Sequence, residues 1–296
     1  MKKIVATAGA VLLLALSAGC GSSGSASGGD AMDTTIRFDQ ALHDKLPQPV
    51  RNTKSIRFIT DASYAPMEMF APDGRTIVGF EADLADALGR VLGVRVEMVN
   101  GTFQTALAQV ADGTFDGMLS AATDTPAREK KVDFVDYFSA GTSIVVQRGN
   151  PAGVTGLDTL CGQIVAVEQG TTQAEMVDRL QQKCGARPIR ISRSKTHADA
   201  LLQLRTGRAA AVLDDYPAAM YRAADSRTGS YFELASHAQY EPGLFGIAVA
   251  KENTALRDTL QAALNQLIAS GAYGDLLARW NLSGGAVTSA VVNRGH

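Results

Sequence analysis

Residues 120–134 read SAATDTPAREKKVDF, in which small residues lead to one arginine and then to an apolar segment. An apolar run precedes them, so the pattern predicts a strand followed by a loop that carries Thr123, Thr125 and Arg128. A planar guanidinium beside hydroxyl groups and open backbone can hold a carboxylate through two parallel charge-assisted hydrogen bonds. The alternative is a solvated Arg128 paired with a neighbouring acid, as is usual for charged residues near a helix start.

Strand and helix patterns alternate on both sides of this loop. Apolar runs of strand length lie at 56–59, 94–98, 118–121, 164–167, 189–191 and 209–213. Helical periodicity separates them, as in the apolar stripe from Phe80 to Leu92 and in the segment that Thr102 is expected to cap. This alternation predicts an α/β architecture of mostly parallel sheets flanked by crossover helices.

Two apolar segments bracket the middle third of the chain, TSIVVQR at 142–148 and LFGIAVA at 244–250. We interpret them as paired crossover strands that form a hinge between two lobes. The predicted divisions are lobe 1 at 55–143 and 248–282, lobe 2 at 144–247, and a tail at 283–296. Ligands of α/β proteins bind at the carboxyl ends of the strands, so a site is expected in the cleft between the lobes.

Composition narrows the class of protein. The chain has 296 residues, of which 28 are basic and 30 acidic, and 46% are apolar, enough for one large core or two ordinary ones. There is no basic excess for phosphate contacts, which argues against nucleic acid as a partner. The 4 histidines are scattered and no Cys-x-x-Cys occurs, so neither a metal nor a cofactor is expected.

The N-terminus has the pattern of an export signal. Two lysines precede an apolar stretch at residues 4–18, which is shorter than the roughly 20 residues of a membrane span. We therefore predict a signal peptide at 1–19. Its end, LSAGC, resembles the bacterial lipobox, which implies lipidation of Cys20, although Ser17 stands where leucine is usual. The alternative is a secreted protein with an unmodified Cys20.

Residues 20–54 are predicted as a Gly/Ser linker followed by one short amphipathic helix, which Pro47 and Pro49 would end. The two remaining cysteines, Cys161 and Cys184, flank a predicted strand and helix. Export favours a disulfide between them. Two buried thiols, or half of a metal site, are the alternatives.

Four loops follow predicted strands, TDASYAPME at 60–68, SAATDTPAR at 120–128, VEQGTTQ at 167–173 and LDDYP at 213–217. With GFEADLADALG and KKVDFVDYF, they resemble the solute-binding proteins of ABC transporters for polar amino acids, family 3, of the glutamine or lysine-arginine-ornithine type. The resemblance covers nearly all of residues 55–282. It implies a two-lobed periplasmic-binding-protein-like fold of type II. It also implies a lipid-anchored extracytoplasmic monomer that binds a free amino acid and delivers it to an ABC permease.

The resemblance assigns a carboxylate-binding group. In that family the arginine of Thr-x-Thr-x-x-Arg binds the α-carboxylate of the ligand, which implies this role for Arg128, with Thr123 as a further donor. Ser120, at the start of the same stretch, is also a predicted ligand contact. Thr171 and Thr172 would present free backbone N–H groups to the same carboxylate from lobe 2. Helix capping is the simpler role for Thr172.

Other positions follow from the same resemblance. Asp215 matches the acid that receives the α-ammonium, and Ala121 would offer its carbonyl to the same group. Asp214 is the alternative, because neighbouring strand residues point to opposite sides and only one of the two acids faces the cleft. Tyr64 and Phe103 match positions where relatives place aromatic rings against the aliphatic part of the ligand. Core packing is their alternative role.

The distal part of the ligand pocket is predicted to be acidic. Asp61 matches a position that reaches a distal amino or amide group, and Glu168 stands where many relatives have an apolar or basic residue. With Asp214 they would favour a cation, so arginine, lysine or ornithine is expected. Glutamine stays open, because Asp61 can accept from an amide. Glu68 is a further candidate for this acidic pocket, with an exposed loop position as the favoured alternative.

Two other functions stay open. The same family includes exported dehydratases that use cleft carboxylates as acids, and Glu168 is the candidate acid. A sensor subunit that reports the ligand to a membrane partner would share the same clamp. The sequence has no nucleophile elbow, P-loop or zincin motif. A binding protein that is not an enzyme is therefore the preferred interpretation.

Overall fold

The computed structural model describes residues 36–295 of the chain. The predicted signal peptide at 1–19, the lipidation of Cys20 and the Gly/Ser part of the linker lie outside the described residues. No helix within 36–295 is both long enough and apolar enough to cross a membrane.

Helices and strands alternate along the described chain, as the sequence pattern predicts. The α-helices are α1 Gln40–Lys45, α2 Gln48–Thr53, α3 Phe80–Leu92, α4 Phe103–Ala111, α5 Pro126–Glu129, α6 Thr172–Gln181, α7 His197–Arg205, α8 Tyr216–Ala224, α9 Thr254–Ala269 and α10 Ala272–Arg279. The strands are β1 Ser55–Thr60, β2 Ser63–Tyr64, β3 Glu68–Phe70, β4 Ile77–Val78, β5 Arg95–Asn100, β6 Gly117–Met118, β7 Val132–Gln147, β8 Ile164–Glu168, β9 Arg190–Ser194, β10 Ala211–Asp215, β11 Phe232–Leu234 and β12 Tyr240–Ala250. Short 3-10 helices span Leu157–Leu160 and Ser283–Gly285.

Within the described residues, one 9-stranded sheet has the order β5-β1-β6-β12-β7-β10-β8-β9, with β11 added on β7. β1 is parallel to β5 and β6, and β8 is parallel to β9 and β10. β7 and β12 are antiparallel to each other and to their neighbours. β2, β3 and β4 form a separate antiparallel sheet of 3 strands. The predicted α/β fold, with mostly parallel strands on each side of two crossover strands, is confirmed.

The crossover strands are longer than the sequence predicts. β7 has 16 residues, and the predicted segment is only its C-terminal part. Asp133 and Asp136 interrupt the apolar pattern of β7, so its first half does not read as a buried strand. The structure compensates Asp133 with Lys251 and Arg257, each at 2.7 Å from a carboxylate oxygen.

Buried apolar side chains form separate clusters on the two sides of the crossover strands. On the lobe 1 side, Phe58, Leu88 and Leu260 belong to the cluster in which α3 and α9 pack against the sheet. On the lobe 2 side, Val165 and Val177 belong to the cluster between α6 and the sheet. Each side therefore has a core of its own, and β7 and β12 connect them.

The N-terminal helical region differs from the prediction. Two short helices, α1 and α2, occupy the place of the single predicted helix. Pro47 precedes α2 and Pro49 lies in its first turn, where a missing backbone N–H loses no helical bond. Thr102 occupies the N-cap position of α4, but its side chain makes no capping bond.

Cys161 and Cys184 are joined by a disulfide bond, as the sequence predicts. The bond connects the segment before β8 to the turn after α6. The disulfide therefore links the start of β8 to the end of α6, the helix that packs on this part of the sheet.

Candidate functional site

A cavity of about 30 Å³ lies at the carboxyl ends of β1, β6, β8 and β10. Every predicted ligand contact lines it, namely Asp61, Tyr64, Phe103, Ser120, Ala121, Thr123, Arg128, Glu168, Thr171, Thr172 and Asp215. Glu68, for which the sequence favours an exposed loop, also lines it, as do Gln173, His197 and Leu213, which the sequence did not indicate. The structure thus brings the predicted residues together, while their roles in binding stay predictions.

The Arg128 side chain points into the cleft. Thr125 is the N-cap of α5 and accepts from the Arg128 backbone N–H at 3.3 Å, which fixes the start of this short helix. The guanidinium donates from Nη1 to the Thr123 carbonyl at 2.7 Å and from Nη2 to the Gly170 carbonyl at 3.0 Å. Its Cζ lies 5.6 Å from the centre of the Phe103 ring. Arg128 is only 9% exposed, so it is not the solvated surface residue of the alternative interpretation.

The N-terminus of α6 faces Arg128 from lobe 2. Thr171 is its N-cap, accepts from the Ala174 N–H at 3.2 Å and donates to the Glu168 carbonyl at 2.8 Å. The Thr172 hydroxyl lies 3.4 Å from the Thr123 hydroxyl. The first N–H groups of α6 have no partner within the helix, so this end of the cavity suits an anion.

Asp215 lines the cavity, whereas Asp214 lies behind it. Asp215 accepts from Gln173 Nε2 at 2.8 Å and lies 2.7 Å from the Tyr64 hydroxyl. Burial raises the pKa of Asp215 to about 7. A cation seated there would favour the charged carboxylate.

Asp214 lies close to two basic side chains behind the cavity wall. Its Oδ2 lies 3.2 Å from His197 Nε2 and 3.6 Å from Arg222 Nε. Burial raises the pKa of Asp214, but His197 and Arg222 outweigh burial and leave the pKa below its ordinary value. These two groups therefore offset part of its charge, and Asp214 still raises the pKa of Glu168.

Three other acids form the distal end of the cavity, Asp61, Glu68 and Glu168. Burial, then the charges of Asp61 and Asp214, raises the pKa of Glu168 to about 9. Glu68 is fully buried and accepts from Ser120 Oγ at 2.8 Å, so the expected exposed loop position is wrong. Burial raises the pKa of Glu68 well above its ordinary value. An uncompensated acidic wall of this kind favours a cationic group.

Glu68 became part of the wall because β3 pairs with β2 in the small sheet, where Tyr64 lies opposite it. The available sequence signal is that Glu68 stands between apolar neighbours, Met67 and Met69. This signal is weak, because glutamate is rarely fully buried unless it is paired.

A buried glutamate, Glu81, holds the loop after β6 in place. Ala121 has a φ of 42°, an uncommon conformation for a residue with a Cβ. Its N–H donates to Glu81 Oε1 at 2.7 Å, and the Tyr137 hydroxyl donates to the same oxygen. Glu81 is fully buried in the first turn of α3, so this contact holds the strained residue at the cavity wall. Within residues 36–295, no three His, Cys, Asp or Glu side chains are arranged to hold a metal ion.

A two-sided α/β fold that encloses a small cavity lined by an arginine, a helix N-terminus and several buried acids is typical of a small-molecule binding protein with its site between two lobes. The chain belongs to the bacterial extracellular solute-binding proteins, family 3, whose sequence profile matches residues 56–283.

Three known proteins illustrate the similarity. The arginine-binding protein ArgT of Corynebacterium glutamicum is 30% identical over 237 residues, which cover 78% of this chain and 75% of ArgT. The structure of an ancestral arginine-binding protein bound to arginine matches with a TM-score of 0.71 and 28% identity, covering 77% of this chain and 98% of that one. The ancestral amino acid-binding protein AncCDT-1, a precursor of cyclohexadienyl dehydratase, matches with a TM-score of 0.70 and 30% identity over 78% and 97% of the two chains.

Proposed function

We propose that this protein binds a free basic amino acid, arginine, lysine or ornithine, by closure of its two lobes and delivers it to an ABC importer. One observation carries the proposal. The same cavity is lined by the Arg128 guanidinium, whose acidic neighbour there is Asp215, and by the buried acids Asp61, Glu68 and Glu168, of which Glu68 and Glu168 both feel the charge of Asp61. A ligand with a carboxylate and a distal cation is complementary to both sets of groups. The similarity to ArgT supports the same class of ligand.

The α-carboxylate and the α-ammonium have separate partners in this proposal. Arg128 and the N–H groups at the start of α6 bind the carboxylate. Asp215 binds the ammonium, which draws its raised pKa back down and makes it a charged acceptor. Tyr64 and Phe103 flank the aliphatic part of the ligand.

Closure follows from the positions of these groups on different lobes. Arg128 bonds to Gly170 across the cleft, and the Tyr64 hydroxyl lies 2.7 Å from Asp215 across the same cleft. A ligand that needs both Arg128 and Asp215 binds the closed arrangement better than an open one, and this difference in affinity shifts the population. The closed form is what an importer would recognise.

The distal acids distinguish a basic ligand from glutamine. Burial raises the pKa of Glu168 to about 9, so without a cation its carboxyl is held neutral at pH 7. A guanidinium or ammonium stabilises the ionised form, whereas a neutral amide gains little from it. Glutamine remains the second candidate ligand, because Asp61 can accept from an amide N–H.

A thermal-shift screen of the twenty amino acids with ornithine, citrulline and agmatine tests the proposal. We expect arginine, lysine or ornithine to raise the melting temperature most. A free ligand concentration of 100 times the dissociation constant adds about 2.7 kcal/mol to the free energy of unfolding. Citrulline is the matched neutral control for arginine, and agmatine lacks the α-carboxylate. A larger shift with citrulline or glutamine than with arginine would contradict the basic ligand.

We also propose the location that the N-terminal sequence indicates. Residues 1–19 act as a signal peptide, and lipidated Cys20 anchors a monomeric protein to the outer face of the cell membrane. Cys20→Ser should move the protein from the membrane fraction to the soluble fraction. An unchanged distribution would refute the lipid anchor.

An exported dehydratase is the second candidate function. The raised pKa of Glu168 suits a general acid in a closed cleft, and the similarity to AncCDT-1, a precursor of cyclohexadienyl dehydratase, supports this candidate. The Arg128 and Asp215 pair, which is suited to an intact amino acid, favours binding instead. Turnover of prephenate or arogenate by the purified protein would reverse this preference.

A sensor subunit would bind the same ligand, and a pulldown of its membrane partner separates sensing from import.

A further inference from the structure

The chain after the last helix forms an ordered segment along β7. The family profile matches residues 56–283, so this segment lies beyond the matched part of the chain. We call residues 287–295 the C-terminal segment. At its start, the Val287 N–H donates to the Tyr273 hydroxyl at 3.1 Å. Further along, the Ala290 N–H donates to Asn265 Oδ1, and the Ala290 carbonyl accepts from Asn265 Nδ2.

Asn293 attaches the segment to β7. Its backbone N–H donates to the Phe134 carbonyl at 3.2 Å, and its Oδ1 accepts from the Phe134 N–H at 2.8 Å. Its Nδ2 donates to Asp133 at 2.9 Å. An isolated antiparallel bridge between Val292 and Val135 continues the pairing. The segment therefore acts as a short additional strand on the first half of β7.

Gly295 reaches the loop that carries Arg128. Its N–H donates to Asp124 Oδ2 at 2.8 Å and lies 3.2 Å from Glu129 Oε1. A Cβ on Gly295 would lie 2.6 Å from the Asp124 backbone, so this close approach requires glycine. Asp124 and Glu129 flank Arg128 in the chain, and the segment thus contacts residues on both sides of the arginine.

The acids beneath the segment explain why a backbone donor is needed there. Burial raises the pKa of Asp124 to about 6 and that of Asp136 to about 8, and the two carboxyls face each other. The N–H of Gly295 lowers the cost of the Asp124 charge. On its other side the loop is held by β12, because the Asp124 N–H donates to the Leu244 carbonyl at 2.7 Å.

We propose that the C-terminal segment holds the loop at residues 123–129 in the conformation that presents Arg128 to the α-carboxylate of the ligand, with Asn293 and Gly295 as positioning residues. The proposal rests on the proposed function, in which Arg128 is the carboxylate-binding group. It assigns an effect on ligand affinity to residues that line no part of the cavity.

The test compares arginine with agmatine, which has the same guanidinium and no carboxylate, in isothermal titrations of the full chain. Asn293→Ala should weaken arginine about tenfold and leave agmatine within twofold, because only the carboxylate contact is misplaced. Gly295→Ala is the second variant and should show the same split. Ser289→Ala, at an exposed position of the same segment, is the control and should bind both ligands as the wild type does. Equal losses for the two ligands, or no loss of arginine affinity, would overturn the proposal.

A ligand-free measurement separates failure of this proposal from failure of the proposed function. Hydrogen exchange of the peptide that covers the 123–129 loop should be faster in Asn293→Ala than in the wild type and unchanged in Ser289→Ala. If the wild type binds no amino acid, the proposed function fails while this result still tests the segment. An unchanged exchange rate in Asn293→Ala would show that the segment does not hold the loop.

Discussion

Arg128 is buried, and each of its terminal nitrogens points to a carbonyl that a ligand carboxylate could replace or join. Lysine has a single ammonium and cannot make two parallel bonds to a carboxylate. Arg128→Lys should therefore weaken arginine binding by about 100-fold or more, measured by isothermal titration. Citrulline and glutamine, if they bind, should lose as much, because every α-amino acid uses the same contact.

The control for this substitution is Arg179→Lys on α6, whose side chain is exposed and pairs with Glu241 at 2.5 Å. It should bind arginine as tightly as the wild type. If Arg128→Lys kept its affinity and instead lost several degrees of melting temperature without ligand, Arg128 would have a structural role only.

Asp61 tests the distal end of the cavity. Its side chain is 6% exposed and lies in the same wall as Glu68 and Glu168. Asp61→Asn removes a charge but keeps the shape, so arginine should be weakened about tenfold more than glutamine. Titration with both ligands measures the difference. Asp112→Asn, an exposed acid at the end of α4, is the control. Equal losses for the two ligands would remove Asp61 from the specificity pocket.

Most of the cavity wall could be predicted at the level of residues, because the motifs that carry the resemblance are the loops that end at the cleft. Glu68 was misplaced because its burial depends on the pairing of two short strands, which have no periodicity to detect. The sequence left open whether Asp214 or Asp215 faces the cavity. The partners of Asp214, His197 and Arg222, come from helices α7 and α8, and no local pattern shows which of the two acids they contact.

At the scale of elements, the disulfide ties the segment before β8 to the turn after α6, and α6 presents its N-terminus to the cavity. Replacement of both Cys161 and Cys184 by serine should lower the free energy of unfolding by about 3 kcal/mol, since the bond closes a loop of 23 residues in the unfolded chain. Urea unfolding measures the loss. Neither cysteine lines the cavity, so arginine affinity should stay within twofold.

Reduced wild-type protein provides the matched control for the double substitution, because it has the same open chain with native side chains. It should unfold at the same urea concentration as the double variant. Equal stability of oxidised and reduced wild type would show that the bond adds nothing to lobe 2.

The alternation of strands and helices predicted the sheet, because long periodic elements carry a strong local signal. The first half of β7 gave no such signal. Its acids Asp133 and Asp136 are accommodated by Lys251, Arg257 and the C-terminal segment, all distant in sequence. The position of the small-residue tail could not be predicted either, because backbone hydrogen bonds and the side chain of Asn293 hold it in place and it has no apolar stripe.

At the scale of the whole molecule, the buried acids make stability depend on pH. The pKa is raised by burial for Asp124 to about 6, Asp136 to about 8, Asp215 to about 7 and Glu168 to about 9. Side-chain bonds act in the opposite direction on Asp133 and Asp225, whose pKa values fall to about 2. The stabilisation from these last two is complete once the pH exceeds the ordinary aspartate value of 3.8.

The ligand-free protein should therefore be most stable near pH 5 and lose stability as the pH rises to 8. Below its folded pKa each raised acid holds a proton that the unfolded state has released, so the free energy of unfolding falls by up to about 1.4 kcal/mol per pH unit for each such proton. Asp124 contributes up to about pH 6, Asp215 up to about pH 7, and Asp136 and Glu168 through most of the window. Urea unfolding at pH 5, 6, 7 and 8 measures the slope. Asp136→Asn, which fixes one site in a neutral form, should flatten the slope and raise stability at pH 8 more than at pH 5. Two results would contradict this prediction: a stability that rises from pH 5 to 8, or an unchanged slope in the variant. Either would mean that these acids are ionised in the folded protein and that neighbouring groups stabilise their charges as well as water does.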